Sequence, residues 1–101
     1  MDVIKKLKIL KTKYLKENIE IVGIFGSVAK GEKNIYSDID IAYKVDHLKF
    51  LKQYPGLKAF IKLEDIKNEL QKELGIKVDL VTLQSSNENF IKEIKKDMLY
   101  V

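Results

Sequence analysis

Three short segments rich in β-branched and aromatic residues limit what this chain can fold into. They are IEIVGIF (19–25), DIDIAYK (38–44) and IKVDLVT (76–82). The second segment alternates polar and apolar residues with a period of two, and the first is almost wholly apolar, so both patterns are typical of strands. Because such short strands cannot bury an apolar face alone, we expect them to pair in one sheet that helices cover.

Helical periodicity occupies most of the remaining chain. Residues 3–15 carry apolar side chains at helical spacing, with Asp2 as the predicted N-cap and lysines on the other face. The segment 60–74 has the same spacing, and Gly75 follows it where a helix is commonly closed by glycine. A shorter helix is predicted over 47–53, before the turn-forming Pro55.

A last helix is predicted from a capping-box pattern, Ser85 with Glu88. Its inward-facing residues are expected to be Phe90, Ile91, Ile94 and Met98. The whole pattern predicts an α/β fold (α+β in some schemes), with a small mixed sheet of three or four strands covered by helices. We expect residues 1–101 to form a single domain, since 101 residues with 46% hydrophobic and 34% charged side chains are typical of one globular unit.

Charge and residue usage exclude several kinds of protein. All 19 basic residues are lysines, and the net charge is +4. The lysines alternate with glutamates along the predicted helices, which favours solvated surfaces, so nucleic acid is not an expected partner. No apolar run approaches the roughly 20 residues of a membrane span, and the charged amino-terminal segment predicts a cytoplasmic protein. The absence of cysteine and the single histidine argue against thiolate chemistry and a zinc site.

The carboxylates on the predicted strands need an explanation. Asp38 and Asp40 are two residues apart and so point to one face of their strand, while Ile39 and Ile41 point to the core. On the third strand Asp79 alternates with core residues in the same way, and it completes a triad if the two strands are neighbours. Three carboxylates at close quarters require a cation, and Mg²⁺ prefers oxygen ligands.

A complementary anion site is predicted just after the first strand. Gly26 and Ser27 precede a predicted helical turn, where backbone N–H groups and a hydroxyl favour phosphate, and Lys30 adds a positive charge. Together with the triad, these residues describe a pocket for a nucleoside triphosphate and magnesium. Each residue also has a purely structural explanation: a tight turn at Gly26, a loop-end cap at Asp38 and an exposed strand position at Asp79.

The arrangement Gly-Ser, ten residues, then Asp-x-Asp resembles the signature of the DNA polymerase β-like nucleotidyltransferase superfamily. More closely, FGSVAKG, SDIDI and GIKVDLVT, followed by a C-terminal helix ending in MLYV, resemble the minimal nucleotidyltransferase (MNT) proteins over residues 19–101.

The resemblance implies a role for each of these residues. Asp38 and Asp40 would bind two metal ions, Gly26 and Ser27 would hold the triphosphate, and Asp79 would bind metal or act as the base. Relatives often carry arginine where this chain has Lys30, which binds phosphate without a bidentate fork. The implied reaction transfers a nucleoside monophosphate to a hydroxyl and releases pyrophosphate.

The resemblance also implies a partner, the HEPN-domain toxin of a toxin–antitoxin module in which the MNT protein is the antitoxin. The reaction would then transfer AMP from ATP to a tyrosine of the toxin, within a homo- or hetero-oligomer. Two alternatives remain. One is an antitoxin that neutralises its partner by binding alone, and the other is a nucleotidyltransferase that modifies a small molecule.

Overall fold

A computed structural model describes residues 3–26, 38–84 and 87–101 of the chain. Within these ranges four helices and four strands follow one another. Their bounds are α1 Val3–Leu15, β1 Ile19–Phe25, β2 Ile39–Val45, α2 His47–Gln53, α3 Leu57–Leu74, β3 Val78–Thr82, α4 Glu88–Lys96 and β4 Leu99–Tyr100. None of the helices in the described ranges is long and apolar enough to cross a membrane.

The strands form one mixed sheet in the order β3-β2-β1-β4. β1 pairs antiparallel with both β2 and β4, whereas β2 and β3 are parallel neighbours. The parallel pair requires a crossover connection, which α2 and α3 supply. The predicted class, a small mixed sheet with covering helices, is confirmed.

Helices cover both faces of the sheet. On one face Ile39, Ile41 and Val78 pack in a fully buried cluster with residues of α1, α2 and α3, including Leu7 and Leu70. On the other face a smaller cluster joins the sheet to α4 and the segment after it, through Ala42, Leu83, Ile94 and Met98. The second cluster lies on the face to which Asp40 and Asp79 belong by strand alternation.

Helix α4 differs from the prediction in two places. Asn87 is the N-cap of α4, and its Oδ1 accepts a hydrogen bond from the Phe90 N–H at 3.1 Å. The proposed capping box is therefore wrong, and Ser85 itself lies outside the described residues. Phe90 is 44% exposed rather than inward-facing, because it lies about 100° around the helix from the neighbouring Ile91, which packs on the sheet.

The final residues form a strand where a helix ending was expected. α4 ends at Lys96, and Leu99 and Tyr100 pair with β1 opposite Ile24 and Gly23. Gly23 makes this pairing feasible, since a Cβ there would collide with the Leu99 carbonyl oxygen and lie 3.0 Å from Met98 Sδ. The close approach of the last segment thus depends on a missing side chain in β1.

A polar seam joins α1 to α3. The hydroxyl of the buried residue Tyr14 donates a hydrogen bond to Glu69 Oε1, and Lys13 Nζ lies 2.7 Å from Glu69 Oε2. Further along the seam, Lys62 Nζ lies 3.0 Å from Glu17 Oε2. These contacts fix how α3 lies on α1, and α3 in turn packs against β3.

Candidate functional site

Two parallel strands bring the predicted carboxylates together. Asp40 on β2 is the direct register partner of Asp79 on β3, and Asp38 lies just before the start of β2. The strand adjacency that a carboxylate triad requires is therefore present. It arises because Ile39 and Ile41 pair with Val78 and Leu80 in the core, so the aspartates that alternate with them share the opposite face.

The three carboxylates interact electrostatically. Asp40 is half-buried, and burial raises the pKa of its carboxyl above the ordinary value. The negative charges of Asp79 and then of Asp38 raise this pKa further. An ionised Asp40 is thus unfavourable by itself in this environment, and a neighbouring cation would relieve it.

Gly26 lies directly against Asp40. Phe25, the last residue of β1, is the antiparallel partner of Asp40, and Gly26 follows it with φ of 83°, in the left-handed region. A Cβ at Gly26 would collide with Asp40 Oδ2. Glycine is therefore required twice at this position, for its backbone conformation and for the space that the carboxylate occupies.

The carboxylate oxygens suit a magnesium ion whose remaining ligands come from the substrate and water. In the described ranges, no three His, Cys, Asp or Glu side chains are arranged to hold a metal ion by themselves. Mg²⁺ commonly keeps several waters and takes one or two carboxylates together with substrate phosphates. Hard oxygen donors around a destabilised Asp40 fit that mode of binding, with Asp38 and Asp40 as the candidate ligands.

The anion-binding half of the prediction is described only at Gly26. Ser27 and Lys30 lie outside the described residues, so their phosphate contacts stay a prediction.

The structure adds a feature that the sequence did not predict, a groove of about 290 Å³ beside Asp79. It is lined by Tyr43, Phe60, Leu63, Glu64, Lys67, Asp79 and Leu80. The sequence signal for it was Phe60, a large aromatic residue outside the buried stripe of α3.

Comparison with known proteins shows the family to which the chain belongs. Residues 6–101 match the model of the polymerase beta nucleotidyltransferase family. The chain belongs to this family. Among nucleotidyltransferases of known structure it resembles one described as a minimal nucleotidyltransferase, with a TM-score of 0.72 and 21% identity, over 100% of this chain and 97% of the other. That likeness shows the shared fold.

Two sequence relatives and a second structure are informative. A protein of Methanocaldococcus jannaschii named as a protein adenylyltransferase is 38% identical over 98 residues, 96% of this chain and 88% of its own. The protein adenylyltransferase MntA of Thermococcus cleftensis is 31% identical over 100% of this chain and 95% of its own. A toxin–antitoxin complex solved with AMP-PNP contains a chain that is 26% identical, with a TM-score of 0.63, over 94% of this chain and 70% of the other.

Proposed function

We propose that this nucleotidyltransferase is an antitoxin that transfers AMP from ATP to a tyrosine hydroxyl of a HEPN-domain toxin, in a magnesium-dependent reaction. The observation that carries the proposal is the convergence of Asp38, Asp40 and Asp79 around the Gly26 turn at one end of the sheet. We place the reaction in the cytoplasm, where ATP and magnesium are available.

The relatives support the choice of reaction and of partner class. Proteins named as adenylyltransferases match nearly the whole chain at 31–38% identity. A structure of a toxin–antitoxin complex with AMP-PNP contains a similar chain. The MNT resemblance supports a HEPN-domain protein as the toxin and one of its tyrosines as the acceptor.

The three carboxylates have two tasks in this reaction. The acceptor hydroxyl oxygen forms a bond to the α-phosphorus of ATP, the bond from that phosphorus to the bridging oxygen breaks, and pyrophosphate leaves. Asp79, exposed near the start of β3, receives the hydroxyl proton. Asp38 and Asp40 would hold magnesium, which when bound stabilises the charge of the entering and leaving oxygens. The missing side chain of Gly26 leaves the space that the Asp40 carboxylate occupies.

A labelling experiment tests the proposal. The protein co-expressed with the toxin encoded beside it is incubated with magnesium and ATP labelled at the α-phosphate. We expect AMP on a toxin tyrosine, and Asp40→Asn should lower the rate by about a hundredfold or more. Asp46→Asn is the matched control, since Asp46 caps α2 at an exposed position and asparagine caps equally well. Absence of tyrosine labelling by the wild-type protein would exclude this function.

The same variants separate catalysis from simple neutralisation. If Asp40→Asn still relieves toxicity as well as the wild type does, neutralisation by binding alone explains the protein. Asp79→Asn should abolish transfer while ATP binding remains, because a base contributes only in the transition state. Loss of ATP binding in Asp79→Asn would make Asp79 a metal ligand instead.

A further inference from the structure

We infer that the polypeptide which accepts AMP binds as an extended segment along the outer edge of β3. One apolar side chain of that segment enters the groove under α3, and the adjacent residue carries the reacting hydroxyl toward Asp79. The inference rests on the proposed function, because it takes Asp79 as the group that receives the acceptor's proton. It identifies which surface of the chain holds the acceptor.

The outer edge of β3 carries backbone groups that can form hydrogen bonds with another strand. β3 is the first strand in the sheet order, and in the part of the chain that the structure describes no strand pairs with its outer side. The Ile39 N–H donates to the Lys77 carbonyl at 2.9 Å, and the Leu83 N–H donates to the Tyr43 carbonyl at 3.0 Å. Because successive residues of a strand direct their backbone groups to alternate sides, these bonds turn residues 79 and 81 toward β2.

The backbone groups of Leu80 and Thr82 consequently point outward. The outward N–H of Val78 already donates to Gln71 Oε1 at 3.1 Å, which blocks the first position of the edge. Among the described residues, no backbone partner is present for the Leu80 and Thr82 N–H groups. An unpaired stretch of this kind is a template for strand addition.

The groove lies along this same edge, on the α3 side of the sheet. Its apolar walls are Tyr43, Phe60, Leu63 and Leu80, and Phe60 is 64% exposed. Its volume of about 290 Å³ lies at the lower limit of ligand pockets, about 300–1,000 Å³, so it suits one side chain better than a nucleotide.

Strand alternation connects the groove to the carboxylates. In a strand added to β3, successive side chains point to opposite faces of the sheet. If one residue enters the groove beside Leu80, its neighbour projects on the face that holds Asp40 and Asp79. The acceptor hydroxyl thereby reaches the reaction site from the edge of the sheet.

The charged residues around the groove indicate which residue accompanies the apolar side chain that enters it. Lys67 borders the groove and Lys77 precedes β3, and neither makes an ion pair with another described residue. The chain also carries a net charge of +4. An acidic residue in the acceptor segment near Lys67 and Lys77 complements this surface. Glu64 also borders the groove, so that acidic residue belongs on the side away from Glu64.

A peptide titration without ATP tests the site directly. The probe is an acetylated, amidated heptapeptide with a central tyrosine flanked by leucines and a terminal glutamate, added to ¹⁵N-labelled protein. We expect shifts and slowed amide exchange at Leu80 and Thr82. The same peptide N-methylated at alternate residues cannot pair with the edge and should not bind. Equal binding of both peptides, or shifts confined to another surface, would overturn the inference.

Two variants with matched controls complete the test. Thr82→Pro removes the outward N–H, and proline is tolerated on an edge strand. Thr82→Ala is its control, because both variants lose the hydroxyl that accepts from the Gln84 N–H at 3.1 Å. Phe60→Ala removes a groove wall, and Ile61→Ala removes the neighbouring residue, 55% exposed and outside the groove. Thr82→Pro and Phe60→Ala should each raise the peptide Kd by about tenfold, and the controls should not.

Separate readouts keep this inference distinct from the proposed function. Peptide binding at β3 without any AMP transfer to the toxin supports the edge site and overturns only the adenylyl transfer. Normal AMP transfer by both Thr82→Pro and Phe60→Ala overturns the edge site and leaves the proposed function intact. If sedimentation shows a homodimer that Thr82→Pro dissociates, the edge pairs with a second copy of this chain and the inference is wrong.

Discussion

Asp40 combines burial in the sheet with two like charges nearby, and this combination has a measurable consequence. Asp40→Asn removes one charge while keeping the shape of the side chain. Without metal we therefore expect the variant to be as stable as the wild type or more stable by up to about 1 kcal/mol, the magnitude of a partly solvated like-charge contact. Urea unfolding in EDTA measures this difference in stability. When magnesium and ATP are added, only the wild type should become more stable. Equal stabilisation of both proteins would contradict the ligand role.

The same residue predicts a pH dependence. Since the pKa of Asp40 is raised in the folded protein, its contribution to stability is present below its unfolded pKa and is lost as the pH rises through the folded pKa. The stability advantage of Asp40→Asn in EDTA should therefore grow as the pH rises from about 4 toward neutrality. Urea unfolding at several pH values checks the sign, and an advantage that shrinks over this range would be inconsistent with burial and repulsion at Asp40.

Gly26 and Gly75 offer a matched pair of substitutions. Both have positive φ, 83° and 68°, but a Cβ at Gly26 meets the Asp40 carboxylate, whereas a Cβ at Gly75 meets nothing within 4 Å. Each alanine variant should lose about 1–2 kcal/mol of stability from the backbone conformation alone. Only Gly26→Ala should also lose binding of ATP with magnesium, measured by calorimetry. Normal binding by Gly26→Ala would show that Asp40 can move without consequence.

Among the elements, the α1–α3 seam carries a testable contribution to stability. The hydrogen bond from Lys13, followed by the one from Tyr14, holds the pKa of Glu69 below its ordinary value. Glu69→Gln should therefore reduce the free energy of unfolding at pH 7 by about 1 kcal/mol, a modest amount because Lys13 and Glu69 are partly exposed. Glu93→Gln is the control, as its ion pair with Lys96 is largely solvated, and it should cost almost nothing.

The seam also has a defined pH window. A carboxyl whose folded pKa is lowered stabilises the protein above its unfolded pKa, and that stabilisation is lost as the pH falls through the folded value. The loss of stability on acidification below about pH 4.5 should accordingly be shallower in Glu69→Gln than in the wild type. In alkali the residue concerned is Tyr14, because burial and then Glu69 raise the pKa of its hydroxyl. Above pH 10 the stability of Tyr14→Phe should therefore fall less than the stability of the wild type. Thermal unfolding over both ranges measures these slopes.

For the whole molecule, we expect efficient transfer only to a docked protein. The described residues form one sheet with its covering helices and a groove at one edge, and Asp79 beside that groove is exposed. Positioning two reactants contributes roughly 7–11 kcal/mol to catalysis, which a docked acceptor would supply. With labelled ATP, the toxin should therefore be modified far faster than free tyrosine or small alcohols. Comparable rates for a small molecule would favour a stand-alone enzyme.

Local patterns in the sequence determined much of this protein. Period-two alternation separates Ile39 and Ile41 from Asp38 and Asp40, and the structure agrees because Ile39 and Ile41 are buried in the larger of the two apolar clusters. Gly75 closes α3 in the left-handed conformation, as expected of a residue that alone tolerates it freely. β1 has the predicted bounds, since an apolar β-branched run has few alternatives to a buried strand.

Only the tertiary structure decided which of these elements meet. The parallel pairing that places Asp79 beside Asp40 joins residues 39 positions apart in the chain, and no local pattern encodes such a partner. The end of the chain became β4 because Gly23 leaves room for Leu99, whereas the last helix was expected to reach the end of the chain. The groove at Phe60 likewise exists because residues of α3 and of the edge strand β3 line the same cleft. Side-chain direction is set by neighbouring backbone geometry, whereas strand partners and grooves are set by how distant apolar faces are buried together.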